Sequence, residues 1–180
     1  RTPFYKKKEY VWRPSEEAEY SFIPSNESSL TVAFRSPRTP DDQMNTIQPF
    51  ISELFSESLR GIVGVRLRES LMTRDIPARE LTVDYFGSAS GSGDEMFSVG
   101  VRTTRSQLMP ASLAVASVLS EICSKGVEVN EYLVARNSVL SGYYKPQTND
   151  ALVQRCVSSY LYGSDLAAPA TKATFYSSRN

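Results

Sequence analysis

The most informative absence in this sequence of 180 residues is histidine, which does not occur at all. Catalytic zinc sites almost always use histidine ligands, and Ser-His and Cys-His nucleophile systems need an imidazole as their base. General acid–base catalysis at neutral pH also depends on histidine most often, although a carboxylate, lysine or tyrosine can take that role. The sequence therefore predicts no metal site and no catalytic residue in this chain.

Cysteine is scarce and net charge is absent. Cys123 and Cys156 fall in separate predicted helices, so they can pair only if those helices are neighbours, and two buried free thiols are the simpler interpretation. Twenty basic residues balance twenty acidic ones, which gives no electrostatic case for binding nucleic acid. No apolar run approaches the roughly 20 residues of a spanning helix. We expect a globular protein with neither a nucleic-acid partner nor a membrane span.

The chain is predicted to consist of an arm followed by one domain. Residues 1–17 contain two prolines, a lysine triplet and Trp12 without helical or strand periodicity, which indicates a linker or an N-terminal arm. Residues 18–180 are long enough to bury most of their surface in a single core. Because the sequence begins with Arg1 rather than Met, we expect it to be a fragment of a longer polypeptide.

Alternating apolar residues predict two early strands, at 18–22 and 30–34. A helical region follows from about Gln48, with Pro49 in its first turn. A break at Gly61 is expected to divide this region into two helices. The first helix is predicted to place Ile47, Ile51, Leu54, Phe55 and either Ser58 or Leu59 on one face, and the second to bury Val63, Leu67 and Leu71.

A β-hairpin is predicted next. Apolar residues alternate at Leu81, Val83 and Tyr85, and again at Phe97, Val99 and Val101. The loop SASGSGD between the two strands is glycine-rich, but a phosphate cradle needs a helix N-terminus directly after it. Because a strand follows instead, we interpret this loop as a hairpin connection.

Three helices are predicted after the hairpin. The first is expected to end at Lys125, just before Gly126, and the last to end at Gly163. Asn149 is predicted to cap the last helix, with Leu152, Cys156 and Tyr160 facing inward. The order of elements predicts an α+β fold, with an antiparallel-rich sheet and helices packed on one of its faces.

Several local sequences, taken in order, resemble the insulinase-like zinc metallopeptidases, a family that includes pitrilysin, insulysin and the mitochondrial processing peptidases. Val65-Arg66-Leu67, followed by Leu71, is similar to a helix motif of that family. The later stretch GVEVNEYLVARNSVLSGY, from Gly126 to Tyr143, resembles the start of another family helix, and the segment ending YLYGSD resembles the helix after it. The resemblance covers roughly residues 30–165. It implies the metalloprotease domain fold, within a parent assembled from several such domains.

The resemblance also implies which roles this chain has lost. Active members carry His-x-x-Glu-His on a helix, and this sequence has no histidine to supply it. An Arg and a Tyr of a C-terminal domain help to hold the substrate in active members, and the ungapped alignment places those roles at Met72 and Arg79. Arg74 and Tyr85 are substitutes only if the loop 75–79 is an insertion; otherwise they are a surface arginine and a sheet tyrosine.

The resemblance therefore implies a non-catalytic, C-terminal-type domain that helps to form a clamshell chamber and to bind extended peptide. The candidate substrate-binding residues are Arg74, Tyr85 and Phe86, with Phe97 beside them, although Tyr85 and Phe97 also suit a plain hydrophobic core. The implied partners are the other domains of a zinc-dependent endopeptidase, one of which would hold the zinc, and a peptide or protein substrate. A bacterial parent would be expected in the periplasm or cell envelope.

Two alternatives stay open at this point. A proteolytically silent scaffold or assembly subunit of the same family would lack the same motifs. A split βαβ-like module for RNA or a ligand would need a basic, aromatic sheet face, whereas Glu80, Thr82 and Asp84 are predicted opposite the core. Such a face suits phosphates poorly.

Overall fold

A computed structural model describes residues 28–87 and 94–178 of the chain. The predicted arm at 1–17, the predicted strand at 18–22 and most of the predicted hairpin loop, residues 88–93, lie outside the described residues. The described elements, in chain order, are β1 (Ser28–Ser36), α1 (Gln48–Thr73), β2 (Glu80–Phe86), β3 (Glu95–Thr103), α2 (Leu108–Lys125), α3 (Val129–Tyr143), α4 (Asn149–Tyr162) and α5 (Pro169–Ser177). A short 3-10 turn, Arg105–Gln107, leads into α2.

The three described strands form one antiparallel sheet in the order β1-β3-β2. Val99 at the centre of β3 pairs with Val32 on β1 and with Val83 on β2. Since side chains alternate between the two faces of a sheet, this register places all three valines on the same face. The predicted hairpin of β2 and β3 is confirmed, and within the described part of the chain β1 and β2 are the edge strands.

The main core lies between the valine face of the sheet and the helices α1 and α2. Its buried members are Val63, Leu67, Leu71, Ile76, Val99, Val101, Ala111, Ala114, Val115 and Val118. Small residues on α2 allow that helix to approach the sheet closely. The predicted α+β fold, with helices on one face of an antiparallel sheet, is confirmed.

Helix α1 is continuous, so the predicted break at Gly61 is wrong. Its 26 residues run through both Gly61 and Gly64. Gly61 is exposed, and an added Cβ at Gly64 would lie 3.9 Å from the side chain of Val83. Each helical glycine costs about 1 kcal/mol relative to alanine. The burial of apolar side chains on both sides of the glycines outweighs that cost.

The buried face of the first half of α1 also differs from the predicted one. Ile51 and Phe55 are exposed, whereas Phe50, Leu54 and Ser58 are buried. The hydroxyl of Ser58 donates to the carbonyl of Leu54 at 2.6 Å, which satisfies a polar group that would otherwise be costly to bury. The stripe therefore steps by four residues from Phe50, and the predicted burial of Leu54, Val63, Leu67 and Leu71 is correct.

A second, smaller core joins the first half of α1 to α3 and α5. It consists of Phe50, Leu54, Leu140 and Ala173, with further apolar side chains packed around them. The ring of Phe50 lies 5.4 Å from the ring of Tyr143 and 6.2 Å from that of Tyr176. Tilted and edge-on aromatic pairs of this kind add to the energy of burial.

The interpretation of α4 needs two corrections. Its N-cap is Thr148, whose hydroxyl oxygen accepts from the amide of Ala151 at 3.2 Å, so Asn149 is the first helical residue. The three residues expected to face inward, Leu152, Cys156 and Tyr160, are exposed. The side of α4 turned toward the domain is polar, and it includes Arg155 and Ser158. These residues do recur at helical spacing, but they lie on the outward face of α4.

Both described cysteines are unpaired, as the simpler interpretation expected, but both are exposed, so their predicted burial is wrong. The predicted helix ends at Gly126 and Gly163 are confirmed, and both glycines have a positive φ that favours glycine over other residues.

Residues 105–125 are long and apolar enough to cross a membrane by length and composition. Ala114 and Val115 of this helix are buried in the main core, but only 22% of the apolar window as a whole is buried, so the helix is evidence neither for nor against a membrane span.

Candidate functional site

Tyr85 points into the domain from the end of β2. It pairs across the sheet with Phe97, which packs against the main core. The Tyr85 hydroxyl donates to the Oε2 atom of Glu95 at 3.0 Å. Burial, reinforced by the negative charge of Glu95, raises the pKa of Tyr85 far above its ordinary value. The hydroxyl is therefore protonated at physiological pH and acts as a donor.

Phe86 is the next residue along β2 and lies on the opposite face of the sheet. It is 46% exposed, and its partner on β3 is Met96. Because β2 is an edge strand of the described sheet, Phe86 is next to an unpaired row of backbone groups. Half-exposed aromatic area beside an open strand edge suits contact with a second extended chain.

Arg74 lies far from both of these residues. It caps the C-terminus of α1 and is exposed, beside a shallow groove of ≈440 Å³ between α1 and α2. The chain then turns and begins β2 at Glu80, so Arg74 is near one end of that strand and Phe86 is at the other. The strand alone spans about 20 Å. The structure brings Tyr85 and Phe86 together at one end of β2 and leaves Arg74 near the other end.

The loop 75–79, considered above as an insertion, is firmly attached to the domain. The side chain of Ile76 is buried, and its amide donates to the carbonyl of Leu71 at 2.9 Å. The carbonyl of Pro77 accepts from the hydroxyl of Thr103 at 2.7 Å. These bonds fix the exit of α1 onto the sheet and hold Arg74 at its present position.

A cavity of ≈200 Å³ lies among the helices α1, α3, α4 and α5; we call it the helical cavity. Its wall is apolar at Met44, Phe50 and Pro169 and carries charged groups at other points. The charged or hydrogen-bonding members of the wall are Glu53, Tyr143, Arg155, Ser158, Ser164, Asp165 and Lys172. A mostly apolar wall with a few polar groups is the composition typical of ligand pockets, although this cavity is smaller than most of them.

Glu53 and Tyr143 form a hydrogen-bonded pair on this wall. The Tyr143 hydroxyl donates to the Oε1 atom of Glu53 at 3.3 Å. Burial raises the pKa of the Glu53 carboxyl, and the positive charge of Lys172 opposes that shift only in part. Burial next to this carboxylate also raises the pKa of Tyr143. The tyrosine is therefore a donor, and ionisation of the Glu53 carboxyl is more costly here than in water.

The other charged groups of the helical cavity differ in their partners. The Nζ atom of Lys172 lies 2.6 Å from the Oδ2 atom of Asp165, so these two charges compensate each other. The Nη1 atom of Arg155 donates to the neutral side chain of Gln147, and its buried Nε atom has no hydrogen-bond partner in the described part of the chain. Arg155 is thus a partly buried cation that is bonded to an amide rather than to an acid.

Metal ligands were not predicted in this chain. Within residues 28–87 and 94–178, no group of three or more histidine, cysteine, aspartate or glutamate side chains is placed to hold a metal ion. The whole sequence lacks histidine. The residues present therefore do not fit the catalytic zinc of the family that the sequence resembles.

Comparison with known proteins gives one clear match. No protein-family model matches the sequence, and neither does any curated protein. Among solved structures, a predicted insulinase family protease from Yersinia pestis matches with a TM-score of 0.66 and 16% sequence identity. The match covers 86% of this chain. The chain has an insulinase-like fold.

The extent of this match matters as much as its quality. The chain spans 33% of the length of the Yersinia pestis protease, so the insulinase-like fold found here corresponds to one part of that larger protein. At 16% identity the likeness shows the fold and does not show what the chain binds. The sequence motifs quoted above and this fold point independently to the same architecture.

Sequence reasoning missed the helical cavity. Its charged residues come from α1, α4, α5 and the segment between the last two helices, and no local motif links them. Glu53 looked like one more polar residue on an amphipathic helix. No sequence motif surrounds Arg155 or Lys172. Tyr143 ends the stretch that resembles a family helix, but nothing in the sequence indicates that it contacts Glu53.

Proposed function

We propose that this chain is a non-catalytic domain of an insulinase-like zinc protease, and that it helps to enclose the substrate chamber and binds extended peptide along the edge of β2. The observation that carries the proposal is that β2 is an edge strand of the sheet over residues 28–87 and 94–178, with the half-exposed Phe86 at its end, in a chain of insulinase-like fold. The absence of histidine supports the non-catalytic role.

The edge strand provides most of the proposed affinity. A peptide that adds a strand beside β2 forms main-chain hydrogen bonds whatever its sequence, which suits a protease domain that handles many substrates. Phe86 and its neighbour Met96 supply an apolar contact for one peptide side chain. Asp84 lies on the same face as Phe86, so a basic side chain is favoured one position away along that face.

Tyr85 contributes by positioning rather than by contact with the peptide. Its hydroxyl is bonded to Glu95, which ties the end of β2 to the start of β3. A rigid edge costs less entropy when a peptide pairs with it. Arg74, at the other end of the strand, contacts the peptide only if the peptide extends past Glu80. The catalytic zinc is assigned to another domain of the parent protein.

Peptide binding is tested by nuclear magnetic resonance on the isotope-labelled chain, with a short unlabelled peptide rich in Val, Thr and Lys. We expect the largest amide shifts in Glu80–Phe86. Phe86→Ala is expected to weaken binding about fivefold, since its partial burial is worth about 1 kcal/mol. Phe34→Ala is the matched control, because Phe34 is similarly exposed but lies on the opposite edge strand, β1.

Two outcomes would reject the peptide-binding role. One is a set of shifts confined to β1, with Phe34→Ala weakening binding and Phe86→Ala leaving it unchanged. The other is the absence of any shift at a peptide concentration in the millimolar range, where even weak strand addition is detectable. In the second case the chain is better described as a scaffold domain of the same fold.

A further inference from the structure

Two charged groups of opposite sign share the wall of the helical cavity without forming an ion pair. The carboxylate of Glu53 accepts a hydrogen bond from the neutral Tyr143, and the guanidinium of Arg155 donates to the neutral Gln147. Both groups line the cavity. In the described part of the chain no ion pair joins either of them to a residue of opposite charge.

For Glu53, which is largely buried, such an arrangement is costly unless something else compensates it, whereas the hydrogen bond of Arg155 to Gln147 is exposed. Burying a charge without a counter-charge penalises the folded state, and proteins normally pair the group or neutralise it. The nearest opposite charge, Lys172, compensates Glu53 only in part, because Lys172 is also paired with Asp165 at 2.6 Å. The cavity therefore presents a carboxylate that Lys172 compensates only in part, and a guanidinium that has no acidic partner in the described part of the chain.

The dimensions and the remaining wall restrict what can fill this space. A cavity of ≈200 Å³ is smaller than the sites that hold drug-sized ligands, and it matches a compact molecule. The apolar wall at Phe50, Met44 and Pro169 suits a short aliphatic side chain. A lone cation would leave Arg155 unpaired, and a lone anion would leave Glu53 unpaired.

We propose that the helical cavity binds a free α-amino acid, with the ammonium group on the carboxylate of Glu53 and the carboxylate on the guanidinium of Arg155. A zwitterion satisfies both charges at once, and charge-assisted hydrogen bonds are the strongest polar contacts available to it. Tyr143 positions the Glu53 carboxylate through its hydrogen bond. The site shares no lining residue with the edge of β2, so it stands independently of peptide binding there.

The test uses L-leucine and two analogues that each lack one charge: isopentylamine, without the carboxylate, and 4-methylpentanoic acid, without the ammonium group. Binding to the full chain is measured by isothermal titration calorimetry. We expect leucine to bind at least about tenfold more tightly than either analogue, because each lost charged hydrogen bond costs that factor. Equal binding of leucine and the amine would overturn the role of Arg155 and with it the proposal.

Variants locate the site. Glu53→Gln and Arg155→Gln are each expected to weaken leucine binding about tenfold or more. Two controls remove a charge of the same sign outside the cavity wall: Glu69→Gln and Arg68→Gln, both on the exposed side of α1 and neither among the charges that act on Glu53. The controls are expected to bind like the unmodified chain. A comparable loss in a control, with an unchanged affinity in Glu53→Gln, would place the ligand elsewhere.

The pH dependence of leucine binding is a further test, because a variant that is merely misfolded would not reproduce it. The charges that act on Glu53 belong to Lys172, Glu57 and Asp165, and Tyr143 donates a hydrogen bond to it. Leucine keeps both of its charges between about pH 5 and pH 7. In that range acidification should weaken binding to the unmodified chain and leave binding to Glu53→Gln unchanged. A flat profile in both proteins, or the absence of leucine binding at every pH, would reject the proposal.

Discussion

Arg66 on α1 and Glu131 on α3 form a two-pronged ion pair. The Nε atom of Arg66 lies 2.9 Å from the Oε1 atom of Glu131, and its Nη2 atom lies 2.6 Å from the Oε2 atom. The hydrogen bond to Glu131 raises the pKa of Arg66, and the bond from Arg66 lowers the pKa of Glu131. The pair links α1 to α3, two helices whose apolar side chains also meet in the smaller core.

We expect a double-mutant cycle on Arg66→Ala and Glu131→Ala to give a coupling energy of roughly 0.5–1 kcal/mol in chemical denaturation, because the pair is only partly shielded from water. Since the folded-state pKa of Glu131 is lowered, its contribution is present above the unfolded value and is lost as the pH falls through the folded value. The coupling should therefore disappear in strongly acidic solution. A coupling that persists there would contradict its electrostatic origin.

The centre of the main core is expected to tolerate truncation poorly. Leu67 is fully buried between α2 and the sheet, so Leu67→Ala should lower the free energy of unfolding by roughly 2–5 kcal/mol, through lost burial and the cavity left behind. Met72→Ala, on the same helix, is the control because Met72 is 74% exposed. Urea unfolding of the two variants provides the comparison, and similar losses would mean that the assigned core is wrong.

The sequence was sufficient to predict the architecture because most of the architecture depends on periodicity. Alternation at Leu81, Val83 and Val99 fixed the hairpin and its buried face, and glycines after α2 and α4 marked the two helix ends. The errors arose where periodicity alone does not decide which face is covered. On α4 the apolar stripe is exposed, because the neighbouring helices meet its polar side instead.

The candidate site could be predicted only in part for a related reason. Tyr85 and Phe86 are adjacent in sequence, so their position at one end of β2 followed from the strand assignment. Arg74 was grouped with them through a resemblance, and the length of the strand separates it from Phe86. The helical cavity depends on contacts between residues as distant as Glu53 and Lys172, and local patterns carry no information about such contacts.

A side chain at Gly100 is expected to destabilise the chain, and a second substitution on the neighbouring strand is expected to relieve that effect. An added Cβ at Gly100 would lie within van der Waals overlap of the Thr82 hydroxyl oxygen on the neighbouring strand. Gly100→Ala should therefore destabilise the chain by roughly 1–3 kcal/mol. Combination with Thr82→Ala removes the clash and should restore most of the loss in thermal unfolding. If the double variant is no more stable than Gly100→Ala, the clash is not the cause.

The purified chain is expected neither to bind stoichiometric zinc nor to cleave peptide. It has no histidine, and the described residues contain no suitable cluster of other ligands. Equilibrium dialysis followed by elemental analysis measures the bound zinc, and a quenched fluorescent peptide reports cleavage. Zinc-dependent cleavage by this chain, abolished by a chelator, would contradict its assignment as a non-catalytic domain.

Glu53 is expected to destabilise the free protein near neutral pH. Because burial raises its folded-state pKa above the ordinary value of 4.5, the folded state holds the proton more tightly than the unfolded state does. Stability should therefore fall as the pH rises from the unfolded value through the folded value, and the penalty should then stay constant.

Glu53→Gln removes the titrating group, so its melting temperature should exceed that of the unmodified chain at pH 7 and match it more closely at pH 4. Glu69→Gln, on the exposed side of the same helix, controls for the general loss of a negative charge, and it should keep the pH dependence that Glu53 produces. If Glu69→Gln removes that dependence and Glu53→Gln does not, the buried carboxylate of the helical cavity has been misidentified.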